Sequence, residues 1–309
     1  MDIVRALHKR GIVVFDNIYS EEEIKFFKDI FSKNVEYLSQ GDDRRYGGAD
    51  GTVKCKYVDG RKIFELGLVD KVLNDNLKGI IYKIMPDAQV WKFYYIQTPP
   101  NQTRPHFIPK GGGIGDFHYD RKNLVYKDDR IDFIDFSIYL DDVSEGDGHY
   151  AFYPASPVKK PLGFEKTINC YGKAGTAICS RIDWYHSATP NMNNKPRHVL
   201  RVAVCKNFFD IDDYIEERKD ISNHYKDKDK FISFIFGMDR RWYKEVTAPS
   251  VKYNENLNCV SPETNSRINF SMFGKTTNAN KDWNPGEIIE NSAWQVTKNF
   301  IKRILNKHN

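Results

Sequence analysis

Two short stretches of the chain carry side chains that are typical of a metal centre. The first is an H-x-D motif, in which His118 and Asp120 stand on either side of Tyr119. On a β-strand alternate side chains share a face, so the imidazole and the carboxylate would point the same way. One histidine and one carboxylate are two of the three ligands in a 2-His-1-carboxylate facial triad, which binds non-haem Fe(II). A three-residue motif is common by chance, so its context has to decide.

A distal histidine and two arginines provide this context. His186 follows an apolar run that indicates a strand, and a turn rich in Pro and Asn separates it from Arg197. A planar guanidinium suits a carboxylate because it binds both oxygens at once, so Arg197 is the candidate for holding a dicarboxylate co-substrate such as 2-oxoglutarate. Arg201 would share a strand face with Arg197 and is the second candidate for this role.

These motifs resemble those of the phytanoyl-CoA dioxygenase family. The family's pattern is an H-x-D, a distal histidine, and an arginine eleven residues after that histidine, and His186 and Arg197 are eleven residues apart. Further similarity lies in residues 11–24 and 140–156, where Asp147 stands in place of the family's usual Asn and Ala155 in place of its usual Gly. The resemblance covers residues 8–206 and does not extend into the last third of the chain.

The resemblance implies an Fe(II)- and 2-oxoglutarate-dependent oxygenase. His118, Asp120 and His186 would hold Fe(II), and Arg197 would bind 2-oxoglutarate. With O2, such an enzyme would hydroxylate a small metabolite or biosynthetic intermediate and release succinate and CO2. Related halogenases carry Gly or Ala at the carboxylate position, so Asp120 favours hydroxylation, or another oxidation such as desaturation or cyclisation, over halogenation.

Two other classes of protein are alternatives. One is a non-catalytic jelly-roll binding protein that has kept its metal ligands, and Arg197 argues against it because a binder does not need a residue for the co-substrate. The other is a zinc or manganese enzyme of the cupin type, whose motif would usually contain more histidines. Binding of 2-oxoglutarate that depends on iron would distinguish the oxygenase from both.

The pattern of the surrounding elements predicts a mainly β fold with flanking helices and a double-stranded β-helix core, a jelly roll of the cupin-like kind. Many short apolar runs separated by Gly, Pro, Asp and Asn indicate a sandwich or barrel, and the resemblance implies the jelly roll. The predicted strands are residues 12–15, 90–96, 131–140, 148–153, 176–179 and 198–204. Ser20 and Glu23 form a capping-box signal at a helix start. After it, apolar residues recur at helical spacing and predict an amphipathic helix, namely Ile24, Phe27, Phe31, Val35 and Leu38.

The chain is divided by these signals into a predicted oxygenase core and an extension. Residues 1–206 would form the jelly-roll core with N-terminal helices, and residues 207–309 would pack on it as a helical and loop-like extension, or the whole chain would be one domain. Within the extension we predict helix over residues 213–236, loop over residues 249–280 and a closing helix over residues 292–305.

Composition limits the partners and the location. Five cysteines without a CxxC pair favour a reducing compartment, and we expect a cytoplasmic protein. The net charge of +5 is compatible with an anionic small-molecule substrate but lacks the dense basic stripe expected for nucleic-acid binding. Apolar runs are all too short for a membrane span.

Several residues near the motifs have two possible roles. Tyr95, Gln97 and Thr98 precede the H-x-D motif in a region where similar enzymes contact 2-oxoglutarate, and their orientation decides whether they do. Trp184 and Tyr185 precede a predicted ligand and are candidates for the wall of the pocket. His149 is expected to be structural.

Overall fold

The structure is a computed structural model that describes residues 3–37, 55–102, 131–152, 166–182, 184–206, 215–237, 259–260 and 268–272. The described residues form antiparallel β-sheets with helices beside them. The helices are α1 (Ile3–Arg10), α2 (Glu21–Asn34), α3 (Gly60–Glu65), α4 (Val69–Val72), α5 (Asp75–Ile84), α6 (Ile215–Tyr225) and α7 (Lys230–Phe236). The strands are β1 (Ile12–Phe15), β2 (Glu36–Tyr37), β3 (Lys56–Asp59), β4 (Gln89–Thr98), β5 (Phe133–Tyr139), β6 (Tyr150–Phe152), β7 (Lys166–Cys170), β8 (Ala177–Ser180), β9 (His186–Ala188), β10 (Arg197–Cys205), β11 (Cys259–Val260) and β12 (Ile268–Met272).

These strands belong to two sheets. The larger sheet has the order β11-β1-β8-β5-β10-β4-β3-β2, and the smaller sheet has the order β12-β7-β6-β9. All neighbouring strands are antiparallel. Strands that are neighbours in a sheet are often far apart in sequence, as in the pairing of β4 with β10, and such non-local pairing is typical of Greek-key β architectures.

The six predicted strands are confirmed, and the predicted amphipathic helix is confirmed as far as Asn34. The helix prediction is wrong at Val35, which is the extended C-cap of α2, and Leu38 and the H-x-D motif lie outside the described residues. Strand β1 coincides with residues 12–15, and each of the other five predicted strands overlaps an observed one. The capping box at the start of α2 is present, since the Ser20 hydroxyl accepts from the Glu23 backbone N–H and the Glu23 carboxylate accepts from the Ser20 backbone N–H. Ile24, Phe27 and Phe31 are buried, as the helical spacing predicts.

The two largest cores in the described part of the chain lie on the two faces of the larger sheet. On one face, every second residue of β4 and β10 points toward the helices. Among these residues, Leu200 and Val202 belong to the same core as Phe27, Phe31 and Ile81 of the helices. The other face packs against the smaller sheet and forms the inter-sheet core. The inter-sheet core consists of Ile12, Val14, Cys55, Tyr57, Tyr94, Ile96, Tyr139, Val143, Tyr150, Phe152, Ile168, Cys170, Ile178, Trp184 and Val199.

Residues beyond 206 contribute to the same body as the core. The predicted helical region is found as α6 and α7, and α7 packs on β4 through an edge-to-face contact of Phe236 with Phe93. The prediction of a loop over residues 249–280 is wrong where β11 pairs with β1 and β12 pairs with β7. A boundary at residue 206 and the closing helix over residues 292–305 stay predictions, and the latter lies outside the described residues.

Within the described part of the chain, no helix is long and apolar enough to cross a membrane.

Candidate functional site

Only two of the four predicted site residues fall in the described part of the chain. His186 is the first residue of β9 and Arg197 the first of β10, whereas His118 and Asp120 lie outside the described residues. Among the described residues there is no group of three histidine, cysteine, aspartate or glutamate side chains that could hold a metal ion. The metal triad therefore stays a prediction, and the structure bears on it through His186 alone.

His186 has the environment of a metal-ligating histidine. The side chain is buried, and its Nδ1 lies 2.9 Å from the carbonyl oxygen of Trp184. A carbonyl can only accept, so Nδ1 carries the proton, and in the neutral ring Nε2 carries the lone pair that would bind a metal. Metal-binding histidines usually have such a hydrogen bond on the other nitrogen, because it fixes the tautomer and the ring orientation.

Arg197 is buried and has no carboxylate partner among the described residues. It is 5% exposed, and its Nη2 donates to the Thr98 hydroxyl at 3.2 Å across the pairing of β10 with β4. Its Nε has no hydrogen-bond partner among the described residues. Burial lowers the pKa of this guanidinium, but arginine keeps its proton in proteins, so the site holds a fixed positive charge.

Three groups near this charge, the side chains of Cys55, His149 and Tyr139, are neutral near pH 7. Burial raises the pKa of the Cys55 thiol to about 12 and lowers the pKa of the His149 imidazole to about 4. Burial also raises the pKa of Tyr139. A buried charge without an opposite charge is costly, and such a site gains stability when an anion binds.

Arg201, the second candidate, already has a carboxylate partner. It lies on the same face of β10 as Arg197, but its Nη2 is 2.8 Å from Asp135 Oδ2 and its Nε also donates to that carboxylate. Its Nη1 donates to the Tyr94 hydroxyl at 3.0 Å. Since Asp135 is fully buried, this pair is internal to the fold. The arrangement favours Arg197 as the residue for an external carboxylate.

The orientation of β4 separates the three polar residues that precede the H-x-D motif. Thr98 faces the inter-sheet core and is fully buried against Arg197. Gln97 points to the opposite face, where its Nε2 lies 3.0 Å from Nε2 of His198, and Tyr95 packs there against Phe31. Only Thr98 can share a ligand with Arg197.

Two tyrosines connect the sheet that carries Arg197 with the sheet that carries His186. The Tyr139 hydroxyl donates to the Cys170 carbonyl at 2.9 Å and accepts from the Tyr150 backbone N–H at 2.8 Å. The Tyr150 hydroxyl lies 2.7 Å from Ser180 Oγ, and its ring stacks on that of His186 at 5.6 Å. Sequence reasoning missed both residues, because a phenol in a strand resembles any other core residue.

The other flanking residues are buried. Trp184 and Tyr185 are both buried, and the Trp184 ring stacks on Phe152 at 5.6 Å. His149 is buried with its Nδ1 3.2 Å from the Thr189 hydroxyl, in agreement with the structural role expected for it.

Replacing Gly11 with alanine should destabilise the protein by about 2–4 kcal/mol. Gly11 has a φ of 71°, and a Cβ there would lie 2.5 Å from the Trp184 ring and 2.7 Å from Phe152. The matched control is Gly67→Ala, since Gly67 has a φ of 67° but open space around it, and it should lose only the backbone part of about 1–2 kcal/mol. Equal losses in urea unfolding would show that the contact with Trp184 does not matter.

A surface groove of about 810 Å³ lies away from His186 and Arg197. It is lined by residues of α2 and of the ends of β5 and β8, including Lys28 and Asp141. Asp141 accepts from Lys28 Nζ and from the His198 backbone N–H, and it lies 2.9 Å from His198 Nδ1. This network connects α2 to β10, the strand that begins with Arg197. The polar side chains of the groove therefore have a structural role.

The ionised carboxylate of Asp141 should increase the free energy of unfolding, and this contribution should be lost in acid. Burial alone would raise the pKa of Asp141, but the hydrogen bonds and charges of His198 and Lys28 outweigh it and lower that pKa. A carboxyl whose pKa is lowered by folding stabilises the protein above the ordinary aspartate value of about 4, and this contribution disappears as the pH falls through the lowered value.

The free energy of unfolding of wild type should therefore exceed that of Asp141→Asn at neutral pH, and the difference should shrink in acid below about pH 4. Asp227→Asn is the control, because Asp227 is exposed, and it should follow wild type throughout. A difference that does not depend on pH would contradict the role of the Asp141 charge.

Comparisons with known proteins give distant similarities. No family model matches the chain, and no curated protein matches it. The α-ketoglutarate-dependent carbocyclase SnoK from nogalamycin biosynthesis is 18% identical, with 65% of this chain and 82% of that chain covered and a TM-score of 0.48. HygX from Streptomyces hygroscopicus, solved with nickel, 2-oxoglutarate and hygromycin B, is 12% identical, with coverages of 66% and 86% and a TM-score of 0.47. EvdO2 from Micromonospora carbonacea var. aurantiaca, solved with 2-oxoglutarate, is 12% identical, with coverages of 69% and 96% and a TM-score of 0.47.

Proposed function

We propose that the chain is an Fe(II)- and 2-oxoglutarate-dependent oxygenase that hydroxylates a small metabolite or biosynthetic intermediate and releases succinate and CO2. The observation that carries the proposal is the buried guanidinium of Arg197, which has no carboxylate partner among the described residues. This charge faces the inter-sheet core, into which His186 also points. A metal-binding imidazole and a buried cation on facing sheets suit a ligand with a chelating end and a distal carboxylate.

The fold that we propose is a jelly roll of the kind found in the phytanoyl-CoA dioxygenase family. Two antiparallel sheets that enclose a common core are consistent with it. In the described part of the chain, β9 has β6 as its neighbour and its other edge is open to a further strand. We propose that His118 and Asp120 complete a metal site with His186.

In this proposal each residue has a separate role. His118, Asp120 and His186 hold Fe(II), and Arg197 with the Thr98 hydroxyl binds the distal carboxylate of 2-oxoglutarate. The bound iron supplies the activation of O2 that is coupled to decarboxylation of 2-oxoglutarate. The enclosed inter-sheet core keeps water away from the site. Because ligation needs neutral imidazoles and an ionised Asp120, acid should release the metal.

Asp120 sets the reaction class within the proposal. A carboxylate at this position occupies the place that a halide would need, so hydroxylation, desaturation or cyclisation is favoured over halogenation. The substrate is a small molecule, for which the net charge of +5 permits a negative charge. We also propose a cytoplasmic location, since the five cysteines of the chain include no CxxC pair.

The experiment that tests the function is a titration under anaerobic conditions. The full-length protein is loaded with Fe(II), and 2-oxoglutarate is added while the metal-to-ligand charge-transfer band is recorded. We expect a band that saturates with one equivalent of 2-oxoglutarate and that is absent without iron. A metal-retaining binding protein would take up iron without developing the band, and this result would overturn the proposal.

A further inference from the structure

Tyr139 and Tyr150 cross the inter-sheet core in opposite directions. Tyr139 belongs to β5 of the larger sheet, and its hydroxyl makes both of its hydrogen bonds with the smaller sheet, at the Cys170 carbonyl and the Tyr150 backbone N–H. Tyr150 belongs to β6 of the smaller sheet, and its hydroxyl bonds to Ser180 of β8 in the larger sheet. Each sheet therefore contributes one phenol that is hydrogen-bonded to the other sheet.

These bonds form a rigid connection. Tyr139 is 1% exposed and Tyr150 is 5% exposed. Burial raises the pKa of both phenols, so they stay protonated and keep their hydroxyl hydrogens for donation. Breaking such a bond would leave buried polar groups unsatisfied, including a backbone carbonyl and a backbone N–H, and this penalty resists changes in the separation of the sheets.

Each tyrosine also lies against one residue of the proposed site. The Tyr150 ring is nearly parallel to the His186 ring, at 14° and with the centroids 5.6 Å apart. Tyr139 is paired in register with Val199, two residues after Arg197 on the same face of β10. The connection therefore joins the surroundings of His186 to those of Arg197.

We propose that Tyr139 and Tyr150 are positioning residues that set the distance between His186 and Arg197 and thereby select the chain length of the dicarboxylate co-substrate. This inference rests on the proposed function. A ligand that is chelated beside His186 and paired with Arg197 has to span the two sheets, so its length must match their separation. A change of one methylene is then worth a factor of about 10–200 in discrimination, provided that the sheets cannot adjust.

Removing the phenol oxygens should weaken this discrimination. Tyr139→Phe, Tyr150→Phe and the double variant keep the rings in place but remove the bonds that hold the sheets at a fixed separation. The matched control is Tyr19→Phe. Its buried hydroxyl donates to the Val72 carbonyl at 2.6 Å, and both residues lie in the core on the helical side of the larger sheet.

The experiment measures equilibrium binding rather than turnover. Dissociation constants of 2-oxoglutarate and of 2-oxoadipate, which is one methylene longer, are obtained for the anaerobic Fe(II)-loaded full-length protein from the charge-transfer band. Wild type and Tyr19→Phe should prefer 2-oxoglutarate by about 10- to 200-fold, and the double variant should bring the two constants to within about threefold. Thermal unfolding of all variants shows whether they lose similar stability.

The outcomes separate the two proposals. If wild type binds neither 2-oxo acid, the proposed function fails. If wild type binds 2-oxoglutarate but does not discriminate, or if the double variant keeps the full preference, the positioning role is wrong while the function stands. Loss of the preference in Tyr19→Phe would also contradict the positioning role, because a general loss of stability would then be sufficient to abolish the preference. Should the tyrosine variants not fold, Ser180→Ala removes the partner of the Tyr150 hydroxyl and should reduce the preference by itself; an unchanged preference in that variant contradicts the role.

Discussion

Arg197→Gln should weaken the binding of 2-oxoglutarate to the Fe(II)-loaded protein by at least about 30-fold, and it should leave the ligand-free protein no less stable than wild type. The first effect follows because the bound carboxylate would lose its only buried cation in the part of the site that the structure describes. The second follows because a buried guanidinium without a carboxylate is itself a cost to the folded state.

Arg201→Gln is the matched control on the same face of the same strand. It leaves the fully buried Asp135 without its cation, so the free energy of unfolding should fall by about 3–5 kcal/mol. Arg197→Lys should bind 2-oxoglutarate with intermediate affinity, because an ammonium keeps the charge but lacks the planar fork. The charge-transfer titration and urea unfolding measure both effects. Arg197→Gln with wild-type affinity would remove Arg197 from the site.

Asp120→Ala should abolish the formation of succinate that is coupled to substrate and should reduce Fe(II) affinity by at least about 100-fold, as should His118→Ala and His186→Ala. Each substitution removes one of three protein ligands, so the site should lose metal affinity and the coordination that substrate-coupled turnover in this chain would need. Metal content after gel filtration and succinate release are the measurements.

Two controls separate metal ligands from other residues of the same type. Asp128→Ala removes a carboxylate from the same segment but outside the H-x-D motif, and it should retain iron. His149→Asn removes a buried histidine to which we assign no ligand role, and it should also retain iron even if it costs stability. Full activity in Asp120→Ala would exclude Asp120 from the triad, and retained iron in His186→Ala would exclude His186.

Elements with a complete local signal could be predicted from the sequence. The run Ile12–Phe15 is apolar throughout and ends in turn-forming residues, and it forms β1 with the same bounds. The capping box at Ser20 is equally local, because both of its hydrogen bonds join residues three apart. Strands β11 and β12 could not be predicted in this way. They are short strands in a polar part of the sequence, and they form because they pair with β1 and β7, which are distant in the chain.

The candidate site likewise has features that could be predicted from the sequence and features that depend on contacts between distant residues. The spacing of His186 and Arg197 is visible in the sequence, but the choice between Arg197 and Arg201 is not, because both lie on one face of β10. The choice depends on Asp135, which is 66 residues away from Arg201 and neutralises it. The orientation of Thr98 could not be decided either, because it depends on the register of β4 against β10.

The strands that the C-terminal third adds to each sheet have a consequence for how the chain folds. Val14 pairs with Val260 and Cys170 pairs with Ile268, so the borders of the two sheets form only after most of the chain has been synthesised. Until then β1, which is apolar throughout, and β7 are border strands with open backbone hydrogen-bonding groups, which are templates for intermolecular association. Contacts over such long sequence separations also slow folding. Variants shortened before residue 259 should accordingly aggregate during expression even though the predicted metal and co-substrate residues are all present.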